Sequence, residues 1–153
     1  MSIAIITGSC GLVGSESVNF FLKKGFDVIG LDNNFRQKFF GKDGSTHWIK
    51  KSLIKNKNYK HFDTDIRNSQ EVKKIFKKYK KKINLIVHCA AQPSHDYAKN
   101  YPRLDFDVNA TGTLNLLEAT KIFCPDAPFI FMSTNKVYGD NPNKLNIIES
   151  SSR

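Results

Sequence analysis

The first fourteen residues constrain the fold more than any other part of the chain. Ile3–Ile6 form an apolar run with the length of a buried strand. Glycines then follow at steps of three: Gly8, Gly11 and Gly14. Apolar residues recur at helical spacing from Val18 to Leu22, so a helix begins inside the glycine loop. The order strand, glycine loop, helix is typical of a phosphate-binding turn.

Each glycine of this loop has a physical role in binding an anion. Gly8 can adopt the tight turn that leaves the strand. Gly11 has no side chain, so a pyrophosphate can approach its backbone, and Gly14 lets the helix lie close to the strand. The anion would sit on free N–H groups at the positive end of the helix. Three further loop residues complete the predicted contact: Cys10, Leu12 and Val13. A plain strand–turn–helix is the alternative at this point.

A second predicted strand, Phe26–Leu31, ends at Asp32 and Asn33. Dinucleotide-binding domains place an acidic residue roughly 20 residues beyond the glycine loop, where it binds the adenosine ribose hydroxyls. The Asp32 carboxylate would repel a 2′-phosphate, which favours NAD over NADP, whereas Arg36 would favour the opposite choice. An Asp32 that only caps the strand is the alternative. We predict that Asp32 and Asn33 bind the ribose of NAD.

Further apolar segments alternate with helical patterns along the chain. The additional predicted strands are Tyr59–Phe62, Ile83–Ala91 and Pro128–Ser133. Right-handed crossovers between parallel strands turn this order into an α/β fold with a doubly wound, Rossmann-like parallel sheet.

The segments between the strands predict helices with definite inward faces. In Glu71–Lys82 the apolar stripe is Val72, Ile75, Phe76 and Tyr79. In the helical stretch Ser94–Phe123 the residues expected in the core are Val108, Ala110, Leu114 and Leu117, with Asn109 as a buried hydrogen-bonding residue. Asn33–Asn58 is an insertion with a short helix whose expected inward residues are Trp48, Ile49 and Leu53.

The carboxyl ends of the five predicted strands carry the candidate binding residues. These ends fall at Gly8, Asp32, Asp65, Ala91 and Thr134. Ligands of doubly wound sheets bind beyond such ends. Asp65 could accept a hydrogen bond from the adenine amino group with Ile66 against the ring, or it could cap the next helix, a role that Asn68 or Ser69 would also fill. The small side chains of Ala90 and Ala91 would let the cofactor approach the backbone.

The charge of the chain is strongly positive but locally concentrated. The sequence has 24 Lys and Arg residues against 14 Asp and Glu residues, a formal net charge of +10. Many lysines lie on the helix Glu71–Lys82, without interleaved arginine or aromatic readers. We interpret this as a solvated helix face and not as a nucleic-acid surface, although it could attract an anionic nucleotide substrate.

Several classes of protein are disfavoured by the remaining composition. The cysteines, Cys10, Cys89 and Cys124, do not form a close pair, so no disulfide framework is expected. The four histidines lack metal-ligand spacing, so no metal site is expected. No apolar run is long enough to cross a membrane, and the chain enters a strand without a signal peptide. We therefore expect a cytoplasmic protein.

Six motifs together resemble the extended short-chain dehydrogenase/reductase superfamily, and within it the nucleotide-sugar epimerases and dehydratases. They are TGSCGLVG (7–14), LDNNFR (31–36), DIR (65–67), HCAAQPS (88–94), VNATGTLNLLEA (108–119) and STNKVYGD (133–140). The last motif, after the fifth strand, is the most specific. The resemblance covers essentially the whole chain, and HCAAQPSHD combined with STNKVYGD is most similar to epimerases of CDP-linked sugars.

This resemblance implies roles for residues at matching positions. It implies bound NAD, a nucleotide-sugar substrate (a CDP-sugar) and a homo-oligomeric full-length enzyme. Thr134 corresponds to the catalytic Ser/Thr that hydrogen-bonds the reacting sugar oxygen. The cofactor residues implied beside the glycine loop and Asp32 are Asp65, Ile66, Ala90, Ala91, Gln92 and Ser133.

The sequence departs from the family in one large respect. The family's base is the Tyr of a Tyr-x-x-x-Lys pair, and none of the five tyrosines has a lysine four residues later. We therefore expect residues 1–153 to be an incomplete NAD-binding domain, truncated before its last strands and the substrate domain, and inactive alone. A 4-epimerase, a 4,6-dehydratase and a non-catalytic NAD-binding module stay open. Dehydratases commonly carry an acid after the catalytic Ser/Thr, but here Asn135 and Lys136 follow Thr134.

Overall fold

A computed structural model describes residues 2–134, 138–139 and 141–146 of the chain. Five parallel strands form one sheet in the order β3-β2-β1-β4-β5. Their bounds are β1 Ile3–Thr7, β2 Asp27–Leu31, β3 Tyr59–Phe62, β4 Ile83–His88 and β5 Phe129–Phe131. The central strand β1 pairs Ile5 with Ile29 of β2 and with Ile86 of β4. The predicted doubly wound parallel sheet is therefore confirmed, although β4 and β5 end earlier than predicted.

Seven α-helices connect and cover these strands within the described residues. They are α1 Leu12–Lys23, α2 Arg36–Phe40, α3 His47–Leu53, α4 Ser69–Tyr79, α5 His95–Asn100, α6 Pro102–Phe106 and α7 Gly112–Phe123. Short 3₁₀ helices lie at Lys42–Gly44, Lys80–Lys82 and Asn141–Lys144, and one π-helical turn lies at Asp107–Thr111. The stretch that the sequence predicted as one helix after β4 is thus broken at Tyr101, because Pro102 begins a new helix there.

The sheet is covered on both faces, as its apolar strands predict. Alternate residues of β1 enter different cores: Ile3 and Ile5 pack with α4 and α7, while Ala4 and Ile6 pack with α1 and α3. All five residues of β1 are buried. The carboxyl ends of β1, β2 and β4 consequently meet at one rim of a rigid sheet.

The helix α4 matches its predicted amphipathic pattern. Val72, Ile75 and Phe76 are buried, and most of its lysines are exposed. Lys73 reaches Glu118 of α7 at 3.0 Å. The Asn68 side chain accepts a hydrogen bond from the Glu71 backbone N–H at 3.2 Å, so Asn68 is the N-cap.

The predicted inward face of α7 was wrong. Leu114 and Leu117 are 56% and 44% exposed, and Ala110 is also exposed, whereas Leu116 and Ala119 are fully buried. The buried residues instead recur at helical spacing, four, seven, eight and eleven residues after Val108: Gly112, Asn115, Leu116 and Ala119. Ala110, Leu114 and Leu117 lie two, six and nine residues after Val108, on other sides of the helix. Of the predicted residues, only Val108 is buried.

The predicted packing of the insertion was partly wrong. Leu53 is buried and Ile49 is half-buried, but Trp48 is 72% exposed. The helix α3 has only two turns, and its buried side is set by Leu53 at its end.

A buried histidine links the end of β4 to the π-helical turn. His88 is 2% exposed. The Thr113 hydroxyl donates to the Asn109 carbonyl oxygen at 2.7 Å, so it accepts from His88 Nε2 at 2.8 Å. His88 Nδ1 then accepts from the Thr7 hydroxyl at 2.6 Å. Both ring nitrogens are satisfied only when the imidazole is neutral, and burial lowers the pKa of His88 to about 4.

This histidine predicts a loss of stability in mild acid. In the unfolded chain His88 is protonated below its ordinary pKa of 6.5. In the folded chain it is protonated only below about pH 4. The free energy of unfolding should therefore fall between pH 6.5 and 4, by about 3 kcal/mol in total. Urea denaturation at several pH values in this range measures the slope of the free energy of unfolding against pH.

The variant His88→Asn provides the control for that slope. The pKa of His61 is also lowered by burial, so some slope should persist in the variant. An unchanged slope in His88→Asn would show that the buried imidazole is not its source.

Candidate cofactor site

A cleft opens at the rim where β1, β2 and β4 end. Eleven of the predicted cofactor residues line it: Gly8, Gly11, Leu12, Val13, Gly14, Asp32, Asn33, Asp65, Ile66, Ala90 and Ala91. The structure therefore brings these residues together, and their cofactor roles stay predictions.

The glycine loop has the geometry that its spacing predicts. Gly8 has φ +62°, its N–H donates to the Leu31 carbonyl oxygen at 2.8 Å, and its own carbonyl oxygen accepts from the Gly11 N–H at 2.9 Å. A Cβ on Gly14 would lie 1.9 Å from the Gly8 carbonyl oxygen. Only glycine allows α1 to start this close to the turn.

The start of α1 is suited to an anion. Gly11 is its N-cap, no side chain caps it, and its first turn has no acidic residue. The first N–H groups of a helix have no partner within the helix. Together with the helix dipole they offer donors to a pyrophosphate, so this chain fits the phosphate part of a dinucleotide.

Asp32 joins the glycine loop to the end of β2. One oxygen of its carboxylate accepts from the Cys10 backbone N–H at 3.0 Å, and the other from the Asn34 N–H at 2.8 Å. Two backbone donors hold the carboxylate at the cleft wall, where its remaining lone pairs can accept from ribose hydroxyls.

Cys10 does not line this cleft, although the sequence placed it among the cofactor residues. Its side chain is 1% exposed, and burial raises the pKa of its thiol to about 11. The residue acts on the site through its backbone N–H to Asp32. A protonated, buried thiol is not a nucleophile.

Asp65 already has a strong partner. Arg67 donates to both of its oxygens, to Oδ1 at 3.0 Å and to Oδ2 with the shortest contact at 2.6 Å. Burial opposes ionisation of Asp65, but the hydrogen bonds from Arg67 prevail and hold the pKa of this carboxyl below its ordinary value. The Arg67 guanidinium also lies 4.9 Å from the centre of the Phe35 ring.

Gln92 supports the wall after β4 instead of facing the cleft. Its side chain is buried and donates to Asp105 at 2.8 Å and to the Ser94 carbonyl oxygen at 2.9 Å. Its backbone N–H donates to the Asn109 side chain at 2.9 Å, which confirms Asn109 as a hydrogen-bonding residue. Gln92 and Asn109 thus fix the loop that begins at Ala90.

The predicted catalytic segment follows β5 at the same rim. Ser133 and Thr134 follow this strand after Met132 and are exposed. The Met132 N–H donates to the His88 carbonyl oxygen at 3.1 Å, which ties this segment to β4. Asn135 and Lys136 lie outside the described residues.

Sequence reasoning missed the aromatic part of the cleft. Phe35 and Phe39 line it beside Asp32, and Pro93 lines it after β4. The signal was present in NNFRQKFF, since aromatic residues rarely cluster in a solvated loop without packing against something.

The sequence predicted no disulfide framework, no metal site and no membrane-spanning segment. All three cysteines are free. No group of three His, Cys, Asp or Glu side chains that could hold a metal ion occurs among the residues that the structure describes. None of the helices in this part of the chain combines the length and apolar character needed to cross a membrane.

The fold and cleft define a dinucleotide-binding domain of the doubly wound class. Its sequence from residue 5 to residue 151 matches the family profile of GDP-mannose 4,6 dehydratase. The chain belongs to this family of NAD-dependent nucleotide-sugar epimerases and dehydratases within the short-chain dehydrogenase/reductases.

Individual relatives agree with this assignment. The CDP-paratose 2-epimerase of Salmonella typhi is 38% identical over 89% of this chain and 38% of its own length. The UDP-Glc/GlcNAc 4-epimerase of Campylobacter jejuni superposes with a TM-score of 0.75 at 28% identity, over 92% of this chain and 39% of its own. The enzyme WbmH of Bordetella bronchiseptica, solved with NAD⁺, gives a TM-score of 0.71 at 25% identity, over 91% and 41%.

Two facts follow from these comparisons. The chain spans about two fifths of the length of the relatives it matches. NAD is the cofactor of the family, as the NAD-bound neighbours indicate.

Proposed function

We propose that residues 1–153 are the NAD-binding part of a nucleotide-sugar epimerase. The observation that supports this most strongly is the cleft that joins the uncapped start of α1 to the Asp32 carboxylate. One feature suits a pyrophosphate and the other a ribose diol, and both lie at the rim where Ser133 and Thr134 follow β5. The substrate-binding domain would lie in the rest of the polypeptide.

The proposed reaction is epimerisation at C2 of a CDP-sugar, as in CDP-paratose 2-epimerase. The 38% identity to that enzyme supports this choice, as do the motifs HCAAQPSHD and STNKVYGD. A UDP-sugar 4-epimerase is the main alternative, because relatives with that activity also match most of this chain.

The residues of this chain would perform binding and orientation. NAD, when bound, supplies reversible hydride exchange with the sugar carbon. The glycine loop and Asp32 would hold the cofactor, and Thr134 would hydrogen-bond the sugar oxygen while its carbon changes geometry. No Tyr-x-x-x-Lys pair occurs in the 153 residues, so the base would come from elsewhere in the polypeptide, and we expect no turnover from this chain alone.

The test begins with the coding DNA beyond Arg153. If the frame continues, the full-length protein is incubated with CDP-paratose, UDP-glucose and UDP-glucuronate, and the products are identified by proton NMR. Interconversion of CDP-paratose and CDP-tyvelose is the expected result. Turnover of a UDP-sugar alone would establish the 4-epimerase instead, and a frame without Tyr-x-x-x-Lys would favour a non-catalytic NAD-binding protein.

Within that full-length enzyme Thr134 has a specific expected effect. Thr134→Val should lower kcat about 100-fold with little change in NAD affinity, since one donor to the reacting oxygen is lost. Thr134→Ser retains the hydroxyl and should stay near wild type. Equal activity of the valine variant would remove Thr134 from the catalytic site.

Two further predictions about the full-length protein stay open. We propose a homo-oligomer, supported by exposed apolar residues that run from α6 through the π-helical turn into α7: Phe106, Ala110, Leu114 and Leu117. Sedimentation of the full-length protein as a monomer would contradict this. A cytoplasmic location also stays a prediction.

A further inference from the structure

An aromatic contact joins the two walls of the cofactor cleft. The Phe39 ring of α2 lies 4.8 Å from the Tyr97 ring of α5, at an interplanar angle of 69°. Phe39 also contacts Phe35 at 4.7 Å, and Tyr97 contacts Tyr101 at 4.5 Å. The four rings form a continuous row, here called the aromatic bridge, from the β2 connection to the β4 connection.

The bridge lies at one edge of the cleft. Phe35 and Phe39 line the cleft on the side of Asp32, and Ala91 and Pro93 line it on the side of β4. Tyr97 lies on α5, the helix that follows Pro93 directly after the Ser94 N-cap. The Phe39–Tyr97 contact therefore joins the β2 connection to the β4 connection beside the cleft.

The two ends of the aromatic bridge are held by other residues, whereas its central Phe39–Tyr97 contact has little other support. Arg67 packs on Phe35 and is itself held by Asp65, so the β2 end is fixed to the cleft wall. At the other end, Ser94 caps α5 by accepting from the Tyr97 N–H. Neither α2 nor α5 has a buried residue, and among the described residues no hydrogen bond or ion pair joins the two helices. Segments with so little burial open far more readily than the core.

We propose that Phe39 and Tyr97 form a gate over the cofactor cleft, and that opening of this contact controls how fast a dinucleotide enters and leaves. The inference rests on the proposed function of the cleft. A dinucleotide is much larger than the gap between touching rings, so it can pass at this edge only when the pair separates. In this proposal the pair is closed in both the free and the cofactor-bound chain, so loosening it should raise the association and dissociation rate constants together.

The test uses NADH, whose fluorescence changes on binding, with the 153-residue chain. Stopped-flow mixing gives the association rate constant, and displacement by excess NAD gives the dissociation rate constant. Tyr97→Ala should raise both rate constants about 2- to 10-fold, the range expected for one edge-to-face aromatic pair, and leave Kd within about 2-fold. Phe39→Ala removes the same contact and should raise the association rate constant over the same range, while its dissociation rate constant can rise further because Phe39 also lines the cleft. The double variant should match Phe39→Ala, because either substitution removes the contact.

Matched controls separate the gate from other effects. Tyr97→Phe keeps the ring and should behave as wild type. Phe20→Ala removes an aromatic ring that is 54% exposed on α1, away from the bridge, and should change neither rate constant.

Each other outcome overturns the gate. A rise in the dissociation rate constant alone would show that the rings pack on the cofactor itself. Unchanged rate constants in both alanine variants would show that the contact does not limit exchange. If the wild-type chain does not bind NADH at all, the proposed cofactor function fails, which is distinguishable from failure of the gate.

Discussion

Replacing Gly14 by alanine is expected to unfold the glycine loop and abolish cofactor binding. The new Cβ would lie 1.9 Å from the Gly8 carbonyl oxygen, 2.7 Å from the Gly8 carbonyl carbon and 3.0 Å from the Ser9 Cα. All three atoms belong to the backbone, so no side chain can move aside. The helix α1 would have to retreat from β1 and lose its packing against Ala4 and Ile6. Urea denaturation should show a loss of about 3 kcal/mol or more.

Gly11→Ala is the matched control within the same loop. Its Cβ would meet only the Gly8 carbonyl oxygen at 3.2 Å, and its φ of −75° is accessible to alanine. This variant should fold with nearly wild-type stability but bind NAD more weakly, because the methyl group occupies the surface a pyrophosphate would approach. Equal stability of the two variants would contradict the close-packing role of Gly14.

Replacing Asp32 by alanine is expected to weaken NAD binding about 5- to 150-fold, which corresponds to about 1–3 kcal/mol. The carboxylate would lose its hydrogen bonds to the ribose, and the Cys10 and Asn34 N–H groups would lose their acceptor. Removal of the negative charge should also reduce the ratio of the NAD affinity to the NADP affinity. Isothermal titration with both cofactors measures the two effects.

Asp32→Asn separates geometry from charge in this prediction. The amide oxygen can still accept one of the two backbone hydrogen bonds, so the loop should keep its shape while the negative charge disappears. We expect Asp32→Asn to bind NAD with an affinity between those of the wild type and Asp32→Ala. Compared with Asp32→Ala, it should show the larger gain in NADP affinity relative to NAD affinity. An Asp32→Ala variant with unchanged NAD affinity would remove Asp32 from the site.

The parts of the fold set by local pattern could be predicted from the sequence. The glycine spacing, the apolar strands and the stripe on α4 each contain enough repeated information to fix an element and its inward face. The shared rim followed because parallel strands must all end on the same side of the sheet.

The inward face of a helix with apolar residues on several sides could not be predicted in this way. Leu114, Leu116 and Leu117 are all leucines, yet only Leu116, eight residues after the buried Val108, enters the core. Trp48 was expected to face inward with Ile49 and Leu53 on a short helix, but this two-turn helix lies at the surface and only Leu53 is fully buried.

Side-chain partnerships within the site were equally hidden. The sequence offered Asp65 as an acceptor for adenine or as a helix cap but did not indicate that Arg67, two residues later, donates to both of its carboxylate oxygens. The adenine role of Asp65 stays a prediction. The aromatic bridge joins Phe39 to Tyr97 across two separate connections, and such a contact follows only from the tertiary arrangement. Long-range pairing of this kind leaves no periodic signal in a single sequence.

The most direct test of the central claim is a calorimetric titration of the 153-residue chain with NAD, after circular dichroism has established that the chain is folded. We expect one NAD bound per chain, weaker binding of NADP, and loss of most of the NAD affinity in Asp32→Ala. A folded chain that binds neither dinucleotide would contradict the assignment of this cleft as a cofactor site.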